Sequence, residues 1–186
     1  MNERFNIFVI EKSKNRHVQL EVNAPSIEEL DKIIANNFKN YEELSSYIIA
    51  KAKEFENNKN GRYDKTYQPY PRIKVISSDK NKPVKYLFPI FELIDKERIL
   101  ELCKDALSKR EDYRYNRNEI LIIQEVINDE SITYEKLREC TFALKRLGYK
   151  NVTKRAIERN SEYDIEKYIK KPINKTKKRT NNLHFL

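Results

Sequence analysis

Two stretches of this chain, IFVIEKSKNRHV at 7–18 and IKVISSDKNKPV at 73–84, align without a gap. Ile, Val, Ile, Lys, Asn and Val coincide, and Arg16 faces Lys82. Each reads as a hairpin: FNIFVI (5–10) and HVQLEV (17–22) around a polar EKSKNR, then RIKVI and VKYLF around SSDKNKP. A lone two-stranded hairpin is marginal in water. Two hairpins gain most by pooling into one antiparallel sheet that packs against helices. The expected fold is therefore α+β: two β-hairpins forming a small antiparallel sheet packed on helices.

Helical periodicity supplies the covering layer. Ser26 followed by Glu28 and Glu29 marks an N-cap, and Ile27, Leu30, Ile33, Ile34 and Phe38 fall on one face. A second helix is expected from about Asn40 to Phe55, with Leu44, Tyr47, Ile48 and Ala52 inward. Residues 56–70 form a polar loop and the clearest internal boundary. A third helix is predicted over about Asp95 to Lys109. Beyond 113 the pattern is helical only. A polar hinge precedes EILIIQEVI, and Thr133 caps a longer helix that ends at Gly148, where a left-handed cap is expected. Thr153 is expected to cap a short helix, and Glu162 to Lys170 to form another. The expected organisation is an α+β domain over 1–112, a helical subdomain over 113–170 and a flexible basic tail over 171–186.

Charge is concentrated at the C-terminal end. The formal net charge is +9, but Lys170–Leu186 carries six basic and no acidic residues; the rest, with 32 basic against 29 acidic, is close to balance at +3. A cationic arm suits a polyanionic partner. The abundance of Lys, Asn, Ile and Tyr is what an AT-rich genome gives whatever the function, which discounts part of that excess. No apolar run approaches the length of a membrane span, and the N-terminus lacks the pattern of a signal peptide. The cytoplasm is the expected compartment. Cys103 and Cys140 lie in helical apolar patterns, as reduced core thiols do.

The residues available narrow the chemistry. Glycine occurs only at 61 and 148, which leaves no phosphate-cradling loop of the P-loop or Rossmann kind. Histidine occurs only at 17, in a strand pattern, and at 184. No His pair, His/Cys cluster or Cys-x-x-Cys offers a metal or redox centre. Carboxylates are many, but none of Asp64, Asp79 or Asp95 is singled out as part of a nuclease-like cluster. The expectation is no catalytic residue, no metal and no cofactor.

The best recognition element in the sequence is LKRLGYKNVTKRAIERN (144–160). A helix, a turn at Gly148 and a second helix bearing Lys154, Arg155 and Arg159, with Lys150 just before it, resembles the general shape of helix-turn-helix proteins. The Leu147-Gly148-Tyr149 junction also looks similar to that of three-helix modules of the ubiquitin-associated type. Two further stretches, GRYDKTYQPYPR (61–72) and KREDYRYNR (109–117), interleave Tyr with cations, as single-stranded nucleic acid sites do. The terminal NNLHFL loosely resembles peptides that hold bacterial sliding clamps, though Asn stands where Gln opens that motif.

The expected function is a non-enzymatic nucleic-acid-binding regulatory or accessory protein, with an origin in a phage or plasmid suggested by size and lack of motifs. The contacts fall to Lys150, Lys154, Arg155 and Arg159, with Lys170, Lys171, Lys175, Lys177, Lys178 and Arg179 of the tail. DNA and RNA are not distinguished. The alternative is an inhibitor or adaptor that binds a protein partner, itself a nucleic-acid binder in one version. No membrane partner is expected.

Overall fold

The structure is a computed structural model that describes residues 2–57, 63–64, 72–76, 85–155 and 158–169, with the side chains of 55–57, 63–64, 72–76 and 85–86 left aside. The tail, most of the Tyr-bearing 61–72 loop and the second hairpin's turn lie outside the described residues.

The two hairpins form one sheet. β1 (Glu3–Glu11) and β2 (Arg16–Ala24) are antiparallel, and so are β4 (Arg72–Ile76) and β5 (Lys85–Leu87). With the short β3 (Tyr63–Asp64) against β2, the strand order is β3-β2-β1-β4-β5. The hairpins join through their first strands, antiparallel, with Ile7 opposite Ile73 and Phe5 opposite Val75. Ile7 and Ile73 are the residues that the sequence match aligns, so a local two-fold relation passes between them. The match is offset by one beyond the turn. Leu20 pairs with Ile7, and its gapless counterpart is Tyr86, yet Leu87 pairs with Ile73. The second connection is one residue longer.

Strand period sets the sheet's inner face. Phe5, Ile7 and Val9 alternate along β1, and Val22, Leu20 and Val18 stand opposite them on β2. All six are buried. α1 (Ile27–Asn37) and α2 (Tyr41–Asn57) cover this face with Leu30, Ile33, Ile34, Leu44 and Ile48. Full burial of such aliphatic side chains stabilises by about 1.5–3 kcal/mol each. α1 begins where its sequence says it should: Ser26 Oγ accepts the Glu29 N–H at 3.2 Å.

A second apolar cluster joins α3 (Lys96–Ser108), α4 (Arg117–Asn128) and α5 (Tyr134–Arg146) through Ile99, Leu102, Ile123, Val126, Leu137 and Leu144. α3, grouped by sequence with residues 1–112, thus gives its apolar face to the helices that follow it. Asp95 and Thr133 cap α3 and α5 through the N–H groups of Arg98 and Lys136. Cys103 and Cys140 are free, buried thiols in this cluster, with their sulfurs 3.2 Å apart.

Among the described residues, two expected helices are absent. Residues 153–155 are not helical: Lys154 bridges Leu93 through N–H···O bonds of 3.0 and 2.6 Å. The Thr153 hydroxyl goes to the Glu92 carboxylate rather than to a helix N-terminus. A segment this short gains little from helix nucleation, and the bridge satisfies its backbone instead. Residues 162–169 likewise do not form an α-helix. They hold two 3-10 turns, Ser161–Tyr163 and Ile165–Lys167. This stretch returns to the sheet: Ile169 bridges Val22, Ile165 and Ile169 enter the first cluster, and Asn37 donates to the Tyr163 carbonyl at 2.6 Å. Among the described residues, no helix is long and apolar enough to cross a membrane.

Candidate nucleic-acid interface

Two sequence stretches that carry Tyr and cations meet at one end of the three-helix module. α3 ends at Ser108 and passes through Lys109 into a 3-10 turn, Arg110–Tyr113, that leads to α4. α5 ends in a glycine cap. Tyr149 N–H bonds the Leu144 carbonyl at 3.1 Å and Gly148 N–H bonds that of Lys145 at 3.0 Å, the two bonds of a Schellman motif. Gly148 has φ +91°. This cap turns the chain so that the Tyr149 ring meets Tyr113, with centroids 6.3 Å apart. The end of α5 is held to the start of α4 by Arg146, whose Nε donates to Glu119 at 2.8 Å.

Three of the acidic groups here, Asp105, Glu111 and Glu119, have basic partners close by, while Asp112 is exposed in the turn and acts on Lys109 through its charge. Asp105 accepts from Lys109 at 2.9 Å and from the Tyr149 hydroxyl at 2.7 Å. Those bonds hold its carboxyl below the ordinary value. Glu119 is held low by its own backbone N–H and by Arg146. Burial, then Tyr113 and Asp105, push the Tyr149 phenol upward, so it stays a neutral donor. Glu111 lies 3.6 Å from Arg110. Among the described residues no carboxylate pairs with Arg114, Arg117 or Lys150, all of which are exposed.

Tyr113 and Tyr115 face opposite ways. Tyr113 packs into the module, whereas Tyr115 is 85% exposed. The Arg114 guanidinium lies 4.9 Å from the Tyr115 ring centroid, a cation–π distance. Arg114, Tyr115, Arg117, Asn118 and Glu119 line a shallow cleft of about 430 Å³, with the Glu119 carboxylate bound to Arg146.

Of the residues expected to make contacts, Lys150 is at this end. Lys154 is not. From Tyr149 the chain runs back along α3, from Asp105 to Asp95, where the Lys154 ammonium pairs with the Asp95 carboxylate at 2.8 Å. Arg155 and Arg159 are exposed, but not on the helix expected to present them. Lys170, Lys171, Lys175, Lys177, Lys178 and Arg179 lie outside the described residues. Arg114, Tyr115 and Arg117 fall within the 109–117 stretch; their proximity to Lys150 depends on the Tyr113–Tyr149 contact, between residues remote in sequence.

A second surface feature lies beside β5. Leu87, Phe88 and Phe142 line a groove of about 600 Å³ with Glu135, Glu139, Arg138 and Arg146. Phe88 and Phe142 meet edge to face at 6.1 Å, and Phe88 is 46% exposed. His17 is buried in β2, opposite Ile10 and Asp64. Among the described residues no group of three or more His, Cys, Asp or Glu could hold a metal ion. Comparison with protein-family models, curated proteins and solved structures finds no match for this chain.

Proposed function

We propose that this is a non-enzymatic nucleic-acid-binding accessory protein, with the cationic end of the helical module as its contact surface. The observation that carries the reading is the Tyr113–Tyr149 contact. It brings Lys150 to the same end as Arg114 and Arg117, three cations without a carboxylate partner among the described residues. Phosphate oxygens are the partners that such cations take from a polyanion, with release of counterions. The six basic residues of Lys170–Leu186 add non-specific attraction in the same direction.

The test is charge reversal at this end. The triple variant Arg114→Glu, Arg117→Glu, Lys150→Glu should bind oligonucleotides at least about tenfold more weakly at low salt, since each lost phosphate contact removes counterion release. Its melting temperature should stay near that of the wild type, because none of the three side chains is buried. Equal affinity of variant and wild type removes the proposed surface, and no binding by the wild type removes the function.

The groove between Phe88 and Phe142 supports a second reading, a protein partner with an apolar side chain for the groove and a cation for Glu139. Under that reading Phe88→Glu abolishes capture of the partner and the triple variant does not.

A further inference from the structure

We infer that the nucleic acid is taken as a single strand, with one unstacked base lying on the Tyr115 ring. This rests on the nucleic-acid reading above and adds to it the form of the partner and the site of the base.

Tyr115 is the most exposed large apolar side chain among those described, at 85%. Two residues earlier Tyr113 packs between helices, so the chain reverses direction here and leaves one ring in the fold and the other in solvent. The Asn116 N–H bonds the Tyr113 carbonyl at 2.8 Å, which fixes this turn. A lone exposed tyrosine is ordinary. This one has its neighbour's guanidinium 4.9 Å from the ring centroid, and a cleft beside it shared with Arg117, Asn118 and Glu119, whose carboxylate is taken by Arg146. Arg114 can cover at most one face of the ring, and the exposure leaves the remaining surface to a ligand.

The elements match those of single-strand sites. Stacking aromatics take base faces and cations take the backbone. In a duplex the base faces are covered by their neighbours, and only base edges are reachable in the grooves. A ring presented on a short turn next to an arginine has nothing to stack on in an intact duplex. An unpaired base offers a whole face. Asn118 lines the same cleft and carries both a donor and an acceptor for a base edge. Because every base has a π face, preference among bases should be weak.

The test uses the full chain and fluorescently labelled probes of about 20 nucleotides, long enough to span one such site: an unstructured single strand and a duplex of equal length. A second single strand carries 2-aminopurine, whose emission is quenched by stacking. The single strand should bind more tightly than the duplex. Tyr115→Ala should weaken the single strand by about tenfold or more and leave the duplex nearly unchanged. Tyr115→Phe should bind like the wild type, because the ring and not the hydroxyl makes the contact. Wild type and Tyr115→Phe should quench 2-aminopurine, and Tyr115→Ala should not. If Tyr115→Ala binds the single strand as the wild type does, or the duplex is preferred, the single-strand inference is overturned. In that case a loss of binding in Arg114→Glu/Arg117→Glu still upholds the broader reading. If the wild type binds neither probe, both fall.

Discussion

The Arg138 guanidinium donates to the Asp31 carboxylate through Nε at 2.8 Å and Nη2 at 3.3 Å, and the two side chains are only 3% and 2% exposed. Arg138 is on α5 and Asp31 on α1, so this buried pair ties the three-helix module to the sheet and its helices. Tyr134 adds a hydroxyl bond to Asp31 at 2.7 Å, and Arg138 also reaches the Phe88 carbonyl. Desolvation raises the Asp31 carboxyl, with Arg138 and Tyr134 opposing that rise.

Breaking a buried pair from one side leaves the other charge without compensation. Arg138→Met should therefore cost about 3–5 kcal/mol in urea denaturation. The double variant Asp31→Leu/Arg138→Met should recover part of that loss, because no buried charge remains. A cost below about 1 kcal/mol for Arg138→Met, the range of an exposed pair, would mean that solvent reaches Asp31.

Asp105 gives a pH prediction of definite sign. Lys109 and Tyr149 lower its folded value below the ordinary 3.8. A carboxyl depressed on folding contributes stability that is present above its unfolded value and lost as pH falls through the folded one. The melting-temperature gap between wild type and Asp105→Asn should therefore narrow as pH falls from about 5, one unit above the ordinary carboxylate value, down through the lower folded value. A gap that stays constant to pH 3 would show that the charge of Asp105 contributes nothing to folding.

Gly148 holds φ +91° with nothing within 4 Å of where a Cβ would stand. The penalty for Gly148→Ala is thus conformational and not steric, about 1–2 kcal/mol for a non-glycine residue in this region. Gly148→Asn should cost less, since Asn tolerates the left-handed region better. Denaturation curves order the wild type and the two variants, and Ala equal to Gly would mean that the cap opens without cost.

Cys103 and Cys140 are both fully buried. In the native protein a thiol reagent should label neither at an appreciable rate, and on unfolding both should label together. Fast labelling of either thiol in the native state would show that the second cluster opens locally.

Local signals in the sequence proved legible because the interactions behind them are local. Ser26 and Thr133 each cap a helix through an N–H three residues on, and Gly148 ends α5 within its own turn. The shared sheet was legible for another reason: two hairpins cannot bury their faces alone, and Ile7 and Ile73 pair directly. The failures are non-local. Residues 153–155 carry a helical pattern too short to hold, and Leu93, 61 positions before Lys154, pairs with it instead. Arg138 reads as one more cation on a helix until Asp31, 107 residues earlier, is brought against it. The stretch at 109–117 was visible as Tyr and cations; that Lys150 shares its end of the module depends on the Tyr113–Tyr149 contact, which no local spacing encodes.

The most direct test of nucleic-acid binding is the salt dependence of single-strand affinity for wild type and for Arg114→Glu/Arg117→Glu/Lys150→Glu. With roughly 5 phosphate contacts, the log–log slope for the wild type should be about −3 to −4. The variant should show a slope shallower by about 2 units, as three of those contacts are lost. A wild-type affinity that does not change with salt, or identical slopes for the two proteins, would contradict binding through this end of the molecule.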